Sequence, residues 1–535
     1  DRTGAWNPRW SSDGHYLAFL STRAREGVSL FVWNARDDTI KEILCNVDID
    51  ATFGDGPFAW LSDTALVATR LGHGQMSVRY GYGIIAQRLA IHGWDTSERG
   101  DEASASALDA VDGAVHVEDS TADQKNVPAE LIRVNPGSGA SKIVADVPFR
   151  GNQMRVAVAP DQSSLAIVVQ DTASVREPHK RLDYSAWDYR FVMAVLPLIS
   201  DVQSRFEDFD RYAFTSSDLE RDAPIWSPDK KLIAFADSSD SSGRAVFCLC
   251  TGVGPRRLTP SGMHVSRFQW YDERHILVLA TTEARLNSDS GRPDWWLIPI
   301  DTVERGKNLT HTLHSPPSQI FVSRGSRLVL AVDAGRLWSI PIDGSSLATV
   351  IPSTATTKIQ AVAWPRARSG DTGPSRILLR ATDSTGTDEL RVMDLDHLAM
   401  RGYPLSRVGS DVGVADCQLS GDGEIVFVRD SAWRVSLIAN KLASSELHEL
   451  MSLNSKLGEV EFGRRLLIHY RDGDADSAAA LVLMPPRYIP NRRNPGIVWV
   501  YGGAVYSDTA CVECGIESPV RPLNPELLAA HGYVV

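Results

Sequence analysis

The residues best placed to do chemistry lie near the end of this 535-residue sequence, in the run Ile497-Val498-Trp499-Val500-Tyr501-Gly502-Gly503. Four apolar residues in a row read as a strand buried on both faces. That strand runs straight into a phenol and a glycine pair. A strand ending in two glycines beneath a polar group suits an oxyanion hole, where a donor fixed in advance meets negative charge as it develops in acyl transfer. Gly502 and Gly503 permit a sharp turn and the close approach of a substrate. The same residues also suit an ordinary strand-end turn with a packed tyrosine, so their surroundings must decide.

Acyl transfer also needs a nucleophile, and no G-x-S-x-G occurs anywhere in the sequence; the nearest spacing, Gly409 to Gly413, holds Asp411 at its centre. No nucleophile, acid or base is therefore assigned within these residues. Cys511-Val512-Glu513-Cys514 lacks a second cysteine pair, so a loop disulfide or two unrelated thiols is the simpler reading. Asp472, Asp474 and Asp476 open like a calcium loop, but Ser477 stands where Gly is needed and Leu483 where Glu is needed. A polar hairpin turn explains them. His311 and His314 have no partner pair at a zinc-like spacing. No metal and no other cofactor is expected. The 13 histidines read as structural or surface groups, and His531 falls at a helix end, where a cation complements the dipole.

The elements that must position Tyr501 begin with the size of the chain, which exceeds what one hydrophobic core serves and calls for several domains or a repeat. Lys and Arg total 55 against 67 Asp and Glu, a net charge of −12, which argues against nucleic acid as a partner. No apolar run approaches the roughly 18 residues that span a membrane. The sequence starts at Asp1 with no charged-then-apolar leader, so a signal peptide is expected to be absent or already removed. Six cysteines are too few for a disulfide scaffold. The compartment stays open, with a periplasmic or secreted setting placed ahead of the cytoplasm.

A repeat fills most of the chain. It is clearest in Trp10-Ser11-Ser12-Asp13-Gly14-His15-Tyr16-Leu17-Ala18-Phe19 and again in Trp226-Ser227-Pro228-Asp229-Lys230-Lys231-Leu232-Ile233-Ala234-Phe235. Weaker copies begin near Trp60, Val158, Trp270, Val322, Trp364 and Gln418. Each copy reads as a hairpin: the Pro-Asp or Asp-Gly pair turns the chain and the apolar run returns it. Further strands, such as Ser29 to Trp33 and Arg336 to Ile340, complete each unit. A period of about 40–50 residues with four short strands predicts propeller blades, here seven or eight. Two spacings are long and imply insertions. The larger, near 95–125, is acidic and reads as a solvated loop, or alternatively as a lid or docking arm over the propeller face. The second holds Arg176, His179, Lys180, Arg181, Trp187, Tyr189 and Arg190, which suit either a peptide carboxylate or carbonyl or packing against a neighbouring blade.

After about Leu450 the repeat gives way to apolar runs at Glu459 to Phe462, Leu466 to Tyr470 and Ala478 to Met484, all read as strands. Asn524 is placed to cap a helix, Pro525 suits its first position, and Gly532 suits its end. Strand, loop, helix, strand is how a parallel α/β sheet starts.

A propeller repeat followed by Asn494-Pro495-Gly496-Ile497-Val498-Trp499-Val500-Tyr501-Gly502-Gly503 and the Leu527 to Val535 segment resembles the prolyl oligopeptidase family of serine peptidases, which includes dipeptidyl and acylaminoacyl peptidases. The resemblance covers nearly the whole chain. It implies a mainly β fold: a seven- or eight-bladed β-propeller over 1–450, then the N-terminal part of an α/β-hydrolase domain over 451–535. It implies that Tyr501 gives its hydroxyl to the oxyanion, that Gly502 and Gly503 form the turn, and that the Ser, Asp and His of the triad lie beyond Val535. A peptide would be the substrate, with an oligomer possible. Aminopeptidase members hold the substrate amine with a Glu-Glu pair, which this sequence lacks; Asp101-Glu102 and Asp388-Glu389 do not match that context. Exo- and endopeptidase action both remain open. Two other readings compete: a propeller binding module with a vestigial tail, and an esterase using the same hole.

Overall fold

In the computed structural model of the protein, the described residues are 4–81, 128–148, 154–170, 189–198, 203–238, 244–282, 292–311 and 320–342 with short gaps, the strands between 349 and 453, 456–498 with short gaps, and 525–535. They form eight sheets in chain order, each built on an antiparallel meander of four strands, and then one hairpin. The first sheet is Ala5–Trp10, Tyr16–Ser21, Ser29–Asn34 and Thr39–Leu44. The eighth runs from Val412–Leu419 to His448–Leu453. Successive meanders stacked face to face are the construction of a β-propeller. Seven of the eight repeat starts sit in the first strand of a sheet; the other, Trp364, directly follows the first strand Lys358–Ala363 of the seventh sheet and lies outside the described residues.

The turn chemistry explains why each hairpin forms where it does. Ser11 Oγ donates to Asp13 Oδ1 at 2.6 Å, and that oxygen accepts the His15 N–H at 3.0 Å. The Tyr16 N–H closes the turn on Ser11 Oγ at 3.0 Å. In the fourth sheet Ser227, Asp229 and Leu232 repeat the arrangement, with bonds of 2.7 and 3.0 Å. The Ser11 hydroxyl and then the His15 N–H hold the Asp13 carboxyl down to about 2, so it stays charged and accepting at ordinary pH. The next residue in each turn takes a left-handed backbone: Gly14 at φ 71°, Lys230 at φ 68° and Gln162 at φ 62°. Glycine adopts it freely, whereas lysine and glutamine are strained there.

The returning strand is apolar throughout because both its faces are covered. In the third sheet, Leu165 and Ile167 pack toward the second sheet, while Ala166 and Val168 pack toward Ile233 and Phe235 of the fourth. Clusters of this kind join each sheet to the next from the first through the seventh. An indole bond adds direction to this packing. Trp60 Nε1 donates to Arg9 O at 3.0 Å, Trp226 Nε1 to Ala157 O at 2.9 Å, and Trp270 Nε1 to Ile225 O at 3.0 Å. In every case the acceptor is the residue just before the repeat start of the preceding sheet. Trp10, at the same position in the first sheet, is instead 51% exposed and packs edge-on against Trp33 at 5.7 Å.

Both long spacings fall between the second and third strands of a sheet: after Ala65–Arg70 in the second and after Ser164–Gln170 in the third. Residues 95–125 and Arg176 to Trp187 of these insertions lie outside the described residues, whereas Tyr189 and Arg190 open the strand Tyr189–Pro197 and pair with Ser216 and Thr215 of the same sheet. The same two sheets exchange strands. Ala51–Phe53 runs parallel to Met154–Val158 of the third sheet, and Ser204–Arg205 runs parallel to Ser141–Pro148 of the second. That interlock has no counterpart in the sequence pattern.

One strand expectation fails. Glu459 to Phe462 is not a strand; Val460 is 48% exposed there, so the alternation of Val460 and Phe462 with two glutamates covers no apolar surface. A side chain on the following Gly463 would fall 1.6 Å from Met484 O, so the chain passes the hairpin base too closely for any other residue. The Asp472 to Asp476 turn lies outside the described residues.

The indole bonds predict that Trp270→Phe, which keeps the ring and loses the donor, costs about 1 kcal/mol in urea unfolding, whereas Trp270→Ala costs about 3–5 kcal/mol. Lys230→Gly should raise stability by about 1 kcal/mol, because it relieves the left-handed residue of the turn.

Candidate functional site

The segment leading to Tyr501 is tied through residues 533–535 to a two-stranded hairpin. Arg465–Arg471 pairs antiparallel with Ser477–Leu483. Leu483 and Val535 then exchange backbone bonds, 2.8 Å from Leu483 N to Val535 O and 3.0 Å in return. Gly496 bridges Val534 in parallel, with Ile497 N–H on Val534 O at 2.8 Å and Val534 N–H on Pro495 O at 2.9 Å. The segment at 533–535 thus inserts between the hairpin and the segment at 495–497.

A helix, Pro525–Ala530, makes the parallel return possible. Pro525 opens it with a ring preset to helical φ. Gly532 ends it at φ 95°, with its N–H on Ala529 O at 2.9 Å. Leu528 and Ala529 are buried. Glu526, in the first turn and also buried, accepts from Arg465 Nε at 3.0 Å and Nη2 at 2.5 Å. This forked pair ties the crossover helix to the first strand of the hairpin. The partners are 61 residues apart, so no local pattern in the sequence reveals them.

Tyr501, Gly502 and Gly503 lie outside the described residues, as do Cys511, Cys514 and Asn524. The approach to them differs from the expectation of a strand buried on both faces. Val498 is 88% exposed and Ile497 half-buried, because among the described residues only the 533–535 segment flanks this one.

Other candidates settle into structural roles. His311 is an exposed turn residue whose Nδ1 lies 3.3 Å from Asn308 O. Asp388 and Glu389 begin the seventh-sheet strand Asp388–Asp394. Cys248 is buried and Cys250 half-buried on the strand Ala245–Cys250. The Ser11, Asp13 and His15 side chains meet, but the serine donates to the aspartate and Arg36 Nη2 sits 2.6 Å from His15 Nε2. That geometry builds a turn and activates no nucleophile. Among the described residues, no helix is long and apolar enough to cross a membrane.

The sequence matches no protein-family model and no curated protein. Among solved structures it is similar to a puromycin-hydrolyzing peptidase of Mycobacterium tuberculosis, with 12% identity and a TM-score of 0.49 over 100% of this chain and 66% of that one. It is similar to a prolyl endopeptidase, with 12% identity and a TM-score of 0.47 over 92% of this chain and 56% of that one. It is also similar to an acylaminoacyl peptidase of Pyrococcus horikoshii, with 11% identity and a TM-score of 0.45 over 99% and 64%. The chain therefore spans less than two thirds of the length of each of these proteins.

The Arg465–Glu526 pair predicts a non-additive result. Glu526→Leu alone should destabilise the C-terminal unit by roughly 3 kcal/mol, since it strands a partly buried guanidinium; adding Arg465→Met should recover part of that loss. Urea unfolding of the two variants checks it.

Proposed function

We propose that the protein is a serine-type peptidase acting by acyl transfer. In this reading residues 1–450 restrict access to short or unstructured peptides. Residues 451–535 begin the catalytic α/β unit, and Tyr501 donates to the oxyanion. One arrangement carries the reading: the parallel pairing of Gly496 with Val534 across a helical crossover, laddered onto a hairpin. In open α/β sheets, sites form outside the carboxyl ends of the strands, and Tyr501 follows Val498 at that end. The peptidases among the similar solved structures agree with this choice of reaction.

The chemistry requires a serine Oγ to attack the peptide carbonyl carbon while a histidine takes its proton. The carbonyl oxygen then carries the charge that Tyr501 Oη and a backbone N–H would hold. Collapse breaks the C–N bond, the amine leaves with the proton, and water releases the acyl group. No G-x-S-x-G supplies that serine within the 535 residues, so the reading concerns the polypeptide that carries it together with this chain.

In that polypeptide, a fluorophosphonate should label one serine, and the label should disappear when that serine is replaced. Tyr501→Phe should lower kcat about 10²–10³-fold with KM little changed. Unlabelled protein would overturn the peptidase reading, and full activity of Tyr501→Phe would overturn the role of the phenol.

A further inference from the structure

The linker between the first and second sheets meets the segment that leaves the second sheet after Ala65–Arg70. A network of polar contacts, several of them buried, joins the two. Asn46 Nδ2 donates to Leu71 O at 3.1 Å and Gly72 O at 2.9 Å, and the Asp48 N–H donates to Thr69 O at 2.8 Å. Ser77 Oγ accepts the Ile49 N–H at 2.9 Å. Asp50 caps the helical turn at 78–81, accepting the Val78 N–H at 2.5 Å and the Arg79 N–H at 3.3 Å. Asp48 in turn accepts the Asp50 N–H at 3.0 Å. Both carboxylates are buried, Asp48 at 3% and Asp50 at 5% exposure.

We infer that Asp48 and Asp50 form a pH-dependent latch, which holds the 77–81 turn against the 47–50 linker more tightly in acid than in base.

The groups around Asp48 leave its charge poorly compensated. From its own linker it faces Asp50, a like charge. From the 71–81 segment it meets the Ser77 hydroxyl and the guanidinium of Arg79, which is largely exposed and sits 3.6 Å from Asp50 instead. From the Ala65–Arg70 strand comes the Thr69 carbonyl, while the neighbouring Arg70 is engaged by Glu130 across the sheet. Tyr80 packs into the apolar cluster between the two sheets. Burial, reinforced by the Asp50 charge, pushes the Asp48 carboxyl up to about 6, and burial also raises Asp50. A carboxyl raised in the closed form binds its proton more tightly there than when open. Closure is therefore favoured in acid and weakens as pH rises from the ordinary carboxylate range through about 6. The shift of Asp48 from the ordinary carboxylate range to about 6 should by itself make the opening equilibrium grow about tenfold between pH 5 and pH 8.

Hydrogen exchange of the peptide spanning 71–81, corrected for the intrinsic pH dependence of exchange, tests this in the protein as it stands. Protection in the unaltered protein should fall about tenfold from pH 5 to pH 8, while the 65–70 strand changes little. Asp48→Asn should remove most of the dependence, leaving only the share that Asp50 contributes, and should keep protection at pH 8 close to the acid level. Asp50→Asn should lower protection at both values, because it weakens the cap, and should shrink the pH effect. Flat protection in the unaltered protein, or the same fall in Asp48→Asn, would overturn the latch.

Discussion

A polar group left unpaired in a sheet covered on both faces costs free energy, so the backbone groups within the stack are driven to find their partners there. This constraint governs the propeller. It makes the returning strand of each hairpin apolar on both sides, as in Leu165 to Val169. It also gives the indole bond its importance. The carbonyls of Arg9, Ala157 and Ile225 point toward the next sheet, and a tryptophan there supplies both the apolar ring and the missing donor. Apolar packing alone lets two sheets slide, whereas a hydrogen bond at one point sets their register.

The second and third sheets meet the same constraint differently. Their junction starts at Val158, which has no N–H on its side chain to offer. Here the sheets trade strands, with Ala51–Phe53 closing one edge and Ser204–Arg205 the other. Backbone pairing replaces the indole bond. Both long insertions also spring from these two sheets, so the interlocked pair is the part of the stack that bears the most added chain.

The sheets were legible in the sequence because their signals are local. Trp-Ser-x-Asp-Gly places the turn, and the apolar run that follows can only be a strand covered twice. What escaped was set by distance. Nothing near residue 51 announces a partner at 154, and nothing near Arg465 announces Glu526. Glu459 to Phe462 misled because two apolar residues between acids mimic alternation without a surface to cover. Around the site, Pro525 and Gly532 marked the helix by backbone preference alone. The exposure of Val498 was not legible, since burial depends on which strands flank it.

The C-terminal unit fixes the approach to Tyr501 by three ties: the Leu483–Val535 exchange, the Gly496–Val534 bridge and the Arg465–Glu526 fork. The role proposed for Tyr501 requires a donor in place before charge develops, and these ties hold the described residues 495–497 that precede it. The central claim is therefore geometric. It is tested most directly by a crystal structure of the polypeptide containing this chain and the serine it requires, trapped as a phosphonate adduct. The account predicts Tyr501 Oη about 2.7–3.1 Å from the phosphonyl oxygen. A tyrosine turned away from that oxygen and packed against the sheet would contradict it.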